Sequence, residues 1–374
     1  MSDQPQLEPE QKYSDLEFAL DSSMHLSDLE SVLKIMETML SKPDITDLMI
    51  NGRDRIYVEQ NGKMLRAPFT IASSELIVQL AEKLAQATGK GEILEHNFVL
   101  EGMLPNGSRV TIIMPPASLD SPTISIRRFP KDVFTLDKMI EAGILSPRVR
   151  AFLATAVERR ANIIISGNTS SGKTTLLNAL TTHIPPTDRL VTIEDTPELK
   201  VQQENVVRLE IENLSYHNDG RINASARELL KSALRIRPDR IIMGEIRGME
   251  AFDFVQAINT GHKGSMATIH ANTPRETITR LEHMVRMGVD LPGLLIRQQL
   301  ASSLDLLIQT YRNHEGVRRI SHITEVVGME GEVMVTHNHF VYQRDESGEI
   351  GYQWERANSR KDVIQQAVNA ASAV

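Results

Sequence analysis

Apolar and polar positions alternate in short runs over the first third of the chain and in longer strand–helix cycles after it. Leu26 to Leu40 carries apolar residues at helical spacing, with Ser27 or Asp28 near its start and Lys42-Pro43-Asp44 at its end. Ile45 to Ile50, Arg55 to Glu59 and Lys63 to Ala67 read as strands, turned at Asn51-Gly52 and Asn61-Gly62. Ser73 to Thr88 predicts an amphipathic helix closed by Gly89. Phe98 to Met103, Arg109 to Met114 and Thr123 to Arg128 predict further strands, punctuated by Pro105-Asn106-Gly107 and Pro115-Pro116. Residues 1–25 are polar and acidic and read as a mobile tail. The pattern thus predicts an α+β domain over residues 26–129 and a linker over 130–137, where Pro130 and mixed charges interrupt the strands.

The period changes over residues 138–374. Leu136 to Gly143 and Ser146 to Arg159 predict helices leading into a short strand, Asn162 to Ser166. Strands at Leu190–Glu194, Val206–Glu210, Arg240–Met243 and Ser265–Ile269 then alternate with helices at Ala224–Arg235 and Ala251–Asn259. Such alternation implies an α/β domain with a largely parallel sheet and helices on both faces. Ile323–Met329, Val333–Thr336, His339–Arg344 and Gly351–Glu355 resemble a β appendage turned at Ser347-Gly348, followed by a weak helix or frayed tail over 356–374.

The strand at 162–166 runs straight into Gly167-Asn168-Thr169-Ser170-Ser171-Gly172-Lys173-Thr174-Thr175, and a helical pattern follows. Strand, Gly-rich loop and helix in that order are the setting of the G-x-x-x-x-G-K-[ST] phosphate loop. Gly167 and Gly172 permit a turn whose N–H groups face phosphate oxygens, and the helix N-terminus adds partial positive charge. Lys173 is expected to reach the β- and γ-phosphates of ATP, and Thr174 to offer its hydroxyl to Mg²⁺.

Composition narrows the partners. With a net charge of -8, nucleic acid gains no support from bulk charge, so no direct nucleic-acid contact is expected. Cys is absent, which excludes disulfides and thiolate metal sites and suits a reducing cytoplasm. No apolar run approaches the roughly 20 residues that span a bilayer.

Downstream of the loop, L-V-T-I-E-D delivers Glu194 and Asp195 to a strand's C-terminal end, where ligands sit in an open α/β sheet. A carboxylate there can orient or deprotonate the attacking water. The apolar strand before Glu245 ends in Gly244, and Glu245 is the candidate carboxylate near Mg²⁺. His270 follows a short strand, within hydrogen-bond sensing range of a phosphate or as a local backbone cap. His337 and His339 read as a solvated strand end. Arg109, Arg127 and Arg128 in the first domain, and Arg235, Arg237, Arg240 and Arg247 around the second carboxylate strand, are candidates to meet phosphoryl charge.

Taken together, T-I-E-D (Thr192 to Asp195) resembles the aspartate box of the type II/IV secretion ATPase superfamily. G-E-I-R-G (Gly244 to Gly248) resembles its Walker B, and G-H-K-G-S-M-A-T-I-H-A-N-T-P its histidine box. R-I-R-P-D-R-I-I-M-G-E-I-R-G, D-I-T-D-L-M-I-N-G, P-N-G-S-R-V, I-S-I-R-R-F and I-T-E-V-V-G-M-E-G narrow the resemblance to the CpaF-type ATPase of the Tad (Flp) pilus, over residues 26–331. The resemblance implies a hexameric ring with a RecA-like second domain, working as a motor for pilus assembly or secretion. It implies docking on inner-membrane platform proteins and a peripheral position on the cytoplasmic side. By position, Glu194 becomes the catalytic glutamate, Glu245 the Walker B residue and His270 a histidine-box residue, while Arg109, Arg127 and Arg128 approach the phosphates, some from a neighbouring subunit. Asn168 and Ser170 stand where Gly is common, at positions the motif leaves free. A conjugation or DNA-transfer ATPase of a type IV secretion system is the alternative.

Overall fold

The structure is a computed structural model that describes residues 24–89, 98–129, 133–211, 224–313, 316–344, 350–355 and 358–374. They fall into two compact units, divided between Lys131 and Asp132. The expected tail up to residue 23, residues 130–132 of the expected linker and the turn at Ser347-Gly348 lie outside the described residues.

In the first unit, Asp28 is an extended N-cap whose Oδ1 accepts from the Ser31 amide at 2.8 Å, and this starts helix α1 (Leu29–Ser41). The helix therefore begins later than the apolar spacing predicts. The residues before it, Met24–Leu26, form strand β1 instead. Strands β2 (Ile45–Ile50), β3 (Ile56–Gln60), β4 (Lys63–Arg66) and β5 (Phe69–Ile71) follow, and β5 pairs in parallel with β1. After helix α2 (Ser74–Ala87) come β6 (Val99–Met103), β7 (Arg109–Ile113) and β8 (Thr123–Arg127). Six of these strands make an antiparallel sheet in the order β4-β3-β2-β8-β7-β6. Its alternate residues, among them Leu48, Ile50, Val110, Ile112, Ile124 and Ile126, share one core with Val32 and Met36 of α1 and Leu80 of α2.

The second unit is built around β9 (Ile163–Gly167). Helices α3 (Leu136–Glu141) and α4 (Pro147–Glu158) precede it, and α5 (Lys173–Thr181) follows. Then come β10 (Leu190–Glu194), β11 (Val206–Glu210), α6 (Ala226–Ala233), β12 (Arg240–Met243), α7 (Glu250–Asn259) and β13 (Met266–His270). Helices α8 (Pro274–Gly288) and α9 (Gly293–Ser303) lead to β14 (Leu306–Arg312), β15 (Arg318–Glu330), β16 (Val333–Arg344), β17 (Ile350–Trp354) and α10 (Asp362–Ser372).

These strands form one nine-stranded sheet in the order β11-β10-β12-β13-β9-β14-β15-β16-β17. It is parallel from β11 to β14 and antiparallel beyond. β9 is central and apolar on both faces, as a parallel strand between helix layers must be. Ile163 and Ile165 join a core with residues of α3, α4, α5 and α10, whereas Ile164 joins the core of α6, α7, α8 and α9.

The C-terminal expectation is corrected in its strands, and of the two alternatives for its last residues the helix is found. Val333–Thr336 and His339–Arg344 belong to one continuous strand, and the last residues form an amphipathic helix with Ile364, Ala367, Val368 and Ala371 buried. A helix this short gains its order from such burial rather than from propensity. Ile364 is 0% exposed, so Ile364→Ala is expected to lower unfolding stability by about 2–5 kcal/mol. Chemical denaturation of the full chain checks this, and an unchanged midpoint would return the segment to a dispensable tail.

Candidate active site

The loop after β9 is shaped by what lies beneath it. A Cβ on Gly167 would collide with Thr310 Oγ1 and Ser171 Oγ, so this position has no room for any side chain. Thr310 Oγ1 donates to the Ser166 carbonyl at 3.0 Å and meets Ser171 Oγ at 2.8 Å. Ser166 Oγ donates to Gln309 Oε1 at 2.6 Å, and Gln309 Nε2 donates to the Ala271 carbonyl at 3.0 Å. β14 is therefore a polar shelf under the loop, and the sequence pattern did not single it out. Ser170 (φ 59°) and Gly172 (φ 96°) take left-handed conformations, which turn the chain sharply into α5.

No side chain caps the N-terminus of α5, so its first N–H groups stay available to an anion. Lys173 is buried, and its Nζ donates to the carbonyls of Gly167 at 3.1 Å and Asn168 at 3.0 Å. These carbonyls satisfy an ammonium that burial would otherwise push strongly toward neutrality, and burial does hold its pKa below the usual lysine value. Asn168, Thr169 and Thr175 are exposed, Ser170 and Thr174 half-buried and Ser171 buried. An uncapped helix start, a buried lysine and a half-buried threonine hydroxyl are the donor set that a magnesium–nucleotide complex requires.

His270 joins the loop to Glu245. Lys173 Nζ lies 3.4 Å from His270 Nδ1, and His270 Nε2 lies 2.9 Å from Glu245 Oε1. An ammonium on one side and a carboxylate on the other assign the proton of the neutral ring to Nε2. Burial, then the Lys173 charge, lowers the pKa of His270 and keeps the ring neutral. Arg247 closes the chain, with Nη2 2.6 Å from Glu245 Oε2 and Nη1 2.8 Å from Asp195 Oδ2.

Glu194 ends β10 and is only 2% exposed. Its Oε1 accepts from the amides of Glu198 at 2.9 Å and Leu199 at 2.8 Å, while Oε2 is buried without a partner among the described residues. Burial raises its pKa to about 7 against the lowering by those amides. The Gly before Glu245, unusual for a strand end of this kind, has a steric reason. A Cβ on Gly244 would lie 3.1 Å from Glu194 Cγ, so any larger residue at 244 would press on the Glu194 side chain.

The raised pKa has a measurable sign. Because the folded value exceeds the ordinary 4.5, this carboxyl's contribution is fully present below pH 4.5 and is lost as pH rises through about 7. Glu194→Gln, free of that titration, is expected to gain stability relative to the parent between pH 5 and 8, by up to about 3 kcal/mol. Urea unfolding of the nucleotide-free proteins across that range checks this, and a pH-independent difference would refute it.

Other predicted residues lie elsewhere. Arg240 is 0% exposed, with Nε 2.7 Å from Asp188 Oδ2 and Nη1 donating to the Val157 carbonyl at 2.6 Å. Its expected place among phosphate-facing arginines is corrected: it is a core ion pair. Arg235 and Arg237 are exposed. His339 is also corrected. It is 0% exposed, its Nε2 lies 2.9 Å from Glu325 Oε2 and its ring packs 5.2 Å from that of Phe152. In the first unit, Arg109 pairs with Glu101 at 3.0 Å, Arg127 with Asp47 at 2.8 Å, and Arg128 Nη1 donates to the Lys42 carbonyl at 3.1 Å.

With this site and fold in view, residues 29–343 match the type II/IV secretion system protein family. The chain belongs to that family. A putative conjugal transfer protein of Mycobacterium tuberculosis is 32% identical over 304 residues, covering 80% of this chain and 86% of the relative. The type IV secretion system protein VirB11 of Bartonella henselae is 34% identical over 322 residues, covering 75% and 88%. Among solved structures, the pilus retraction motor PilT with bound ADP aligns at a TM-score of 0.58 and 19% identity, covering 92% of this chain and 86% of that one, a likeness of fold. The second unit has a RecA-like fold, and the chain is an ATPase of the type II/IV secretion family.

Proposed function

We propose that the chain is the motor ATPase of a type IV secretion machine of the conjugal-transfer kind, working as a homo-hexamer docked on membrane components. The similarity to conjugal transfer and VirB11 proteins over most of the chain's length carries the reading. Membrane attachment in this reading runs through partner proteins; among the described residues no helix is long and apolar enough to cross a bilayer. A Tad-pilus motor is the second reading, favoured by P-N-G-S-R-V, I-S-I-R-R-F and I-T-E-V-V-G-M-E-G.

In the proposed site, Lys173 and the backbone of Gly167 to Thr175 hold the phosphates of ATP. Thr174 and Glu245 would hold Mg²⁺, which would supply neutralisation of the phosphate charge. Glu194 orients and deprotonates the attacking water. His270, held between Lys173 and Glu245, reports on the γ-phosphate position. Arg109, Arg127 and Arg128 supply guanidinium groups to the phosphates, some of them from a neighbouring subunit.

The test combines binding and cell biology. Lys173→Ala is expected to weaken ATP binding by about 10²-fold, the worth of a lost charge-assisted contact. In a strain lacking the gene, that variant is expected to leave plasmid transfer to recipient cells abolished. Parental ATP affinity would overturn the loop assignment. Loss of surface pilin with transfer intact would favour the Tad reading.

A further inference from the structure

We infer that Arg318 is a nucleotide-binding residue whose guanidinium stacks on the purine ring of ATP, an inference that rests on the nucleotide reading above. The order of strands sets the direction of the nucleotide. Lys173 faces His270 at the end of β13, and Glu245 and Glu194 follow or end β12 and β10, all on one side of β9. The γ-phosphate end belongs on that side. A phosphate chain running along the loop then leads its nucleoside end to the opposite side of β9, where β14 and β15 lie.

Arg318 opens β15 at that place and is exposed. Its Nε donates to the Ser170 carbonyl at 3.0 Å, and its Cδ lies 3.6 Å from where a Cβ on Gly172 would stand. The side chain therefore crosses the crest of the phosphate loop immediately before α5. Its backbone is anchored from both directions. Arg319 Nη1 donates to the Arg318 carbonyl at 2.8 Å while its own guanidinium lies 5.9 Å from the Tyr342 ring centroid. Asn313 Oδ1 accepts from the Val317 amide at 2.8 Å. A planar guanidinium fixed by a hydrogen bond is prepared to stack on an aromatic face, and a purine offers such a face. Lysine in its place would keep the charge and lose the plane.

The experiment titrates ATP, ADP and inorganic tripolyphosphate against the parent, Arg318→Ala, Arg318→Lys and Lys173→Ala proteins, after melting curves confirm folding. Arg318→Ala and Arg318→Lys are both expected to lose about 5- to 10-fold in ATP and ADP affinity, with tripolyphosphate affinity unchanged. Equal weakening of tripolyphosphate would assign Arg318 to loop shape, full affinity in Arg318→Lys would assign it to phosphate charge, and unchanged ATP binding in both variants would remove it from the site; each outcome overturns the inference. Lys173→Ala is expected to lose both ligands. If it loses neither, the nucleotide reading itself fails, independently of Arg318.

Discussion

Glu194→Gln is expected to bind Mg-ATP as tightly as the parent and to hydrolyse it at least about 10²-fold more slowly, the usual worth of a general base. The amide is nearly isosteric with the carboxyl. Its oxygen still accepts from the Glu198 and Leu199 amides that hold Oε1, so the loop after β10 keeps its form. What is lost is a carboxylate whose pKa of about 7 makes it a competent proton acceptor near neutral pH. Steady-state turnover beside nucleotide titration separates the two quantities. Residual turnover within about twofold of the parent would move the base to another group, with Glu245 the next candidate.

Arg127→Ala and Arg128→Ala are each expected to lower kcat by about 10³-fold if that arginine meets the transferring phosphoryl group, the effect of an arginine finger. Their present partners raise a competing explanation. Arg127 holds Asp47 and Arg128 holds the carbonyl that follows α1, so loss of either also loosens the first unit. Mixing a Lys173→Ala chain with an Arg127→Ala, Arg128→Ala chain separates these explanations. Recovered activity in mixed rings would show arginines supplied in trans by a subunit that itself cannot bind ATP. Absence of recovery, with mixed rings confirmed, would leave action within one chain or support of their own unit alone.

The features that were legible in the chain are those whose meaning is local. Ile163 to Thr175 carries strand, loop and helix consecutively, so spacing alone predicts the phosphate loop. Glu194 and Glu245 each end an apolar run, and that position in an α/β sheet is informative by itself. The features that were missed depend on pairing. Gln309 and Thr310 look like the polar end of a strand, and only the register of β14 against β9 puts them under Ser166 and Gly167. His339 reads as solvated until antiparallel pairing sets β16 beside β15, where Glu325 is its partner. Arg240 resembles any surface arginine, because its counter-charge Asp188 is supplied by a remote loop. Helix α8 also has a local signal. Thr273 caps it, Pro274 opens it and Glu276 lies at its third position, the ordinary start signal.

The crowding at the end of β9 also bears on how this lineage can vary. Gly167, Ser171 and Thr310 occupy one small volume, and the hydroxyls of Ser171 and Thr310 fill the place where a side chain at 167 would stand. A methyl group can enter there only if the strand that carries Thr310 retreats and the Ser171 hydroxyl gives way, because the Thr310 carbonyl crowds the same place as its hydroxyl. The three positions therefore form a single unit of inheritance. Substitutions at 310 are expected to appear in descendants together with changes in the loop, so covariation between residues 143 apart along the chain would record a contact that neither residue's own chemistry announces.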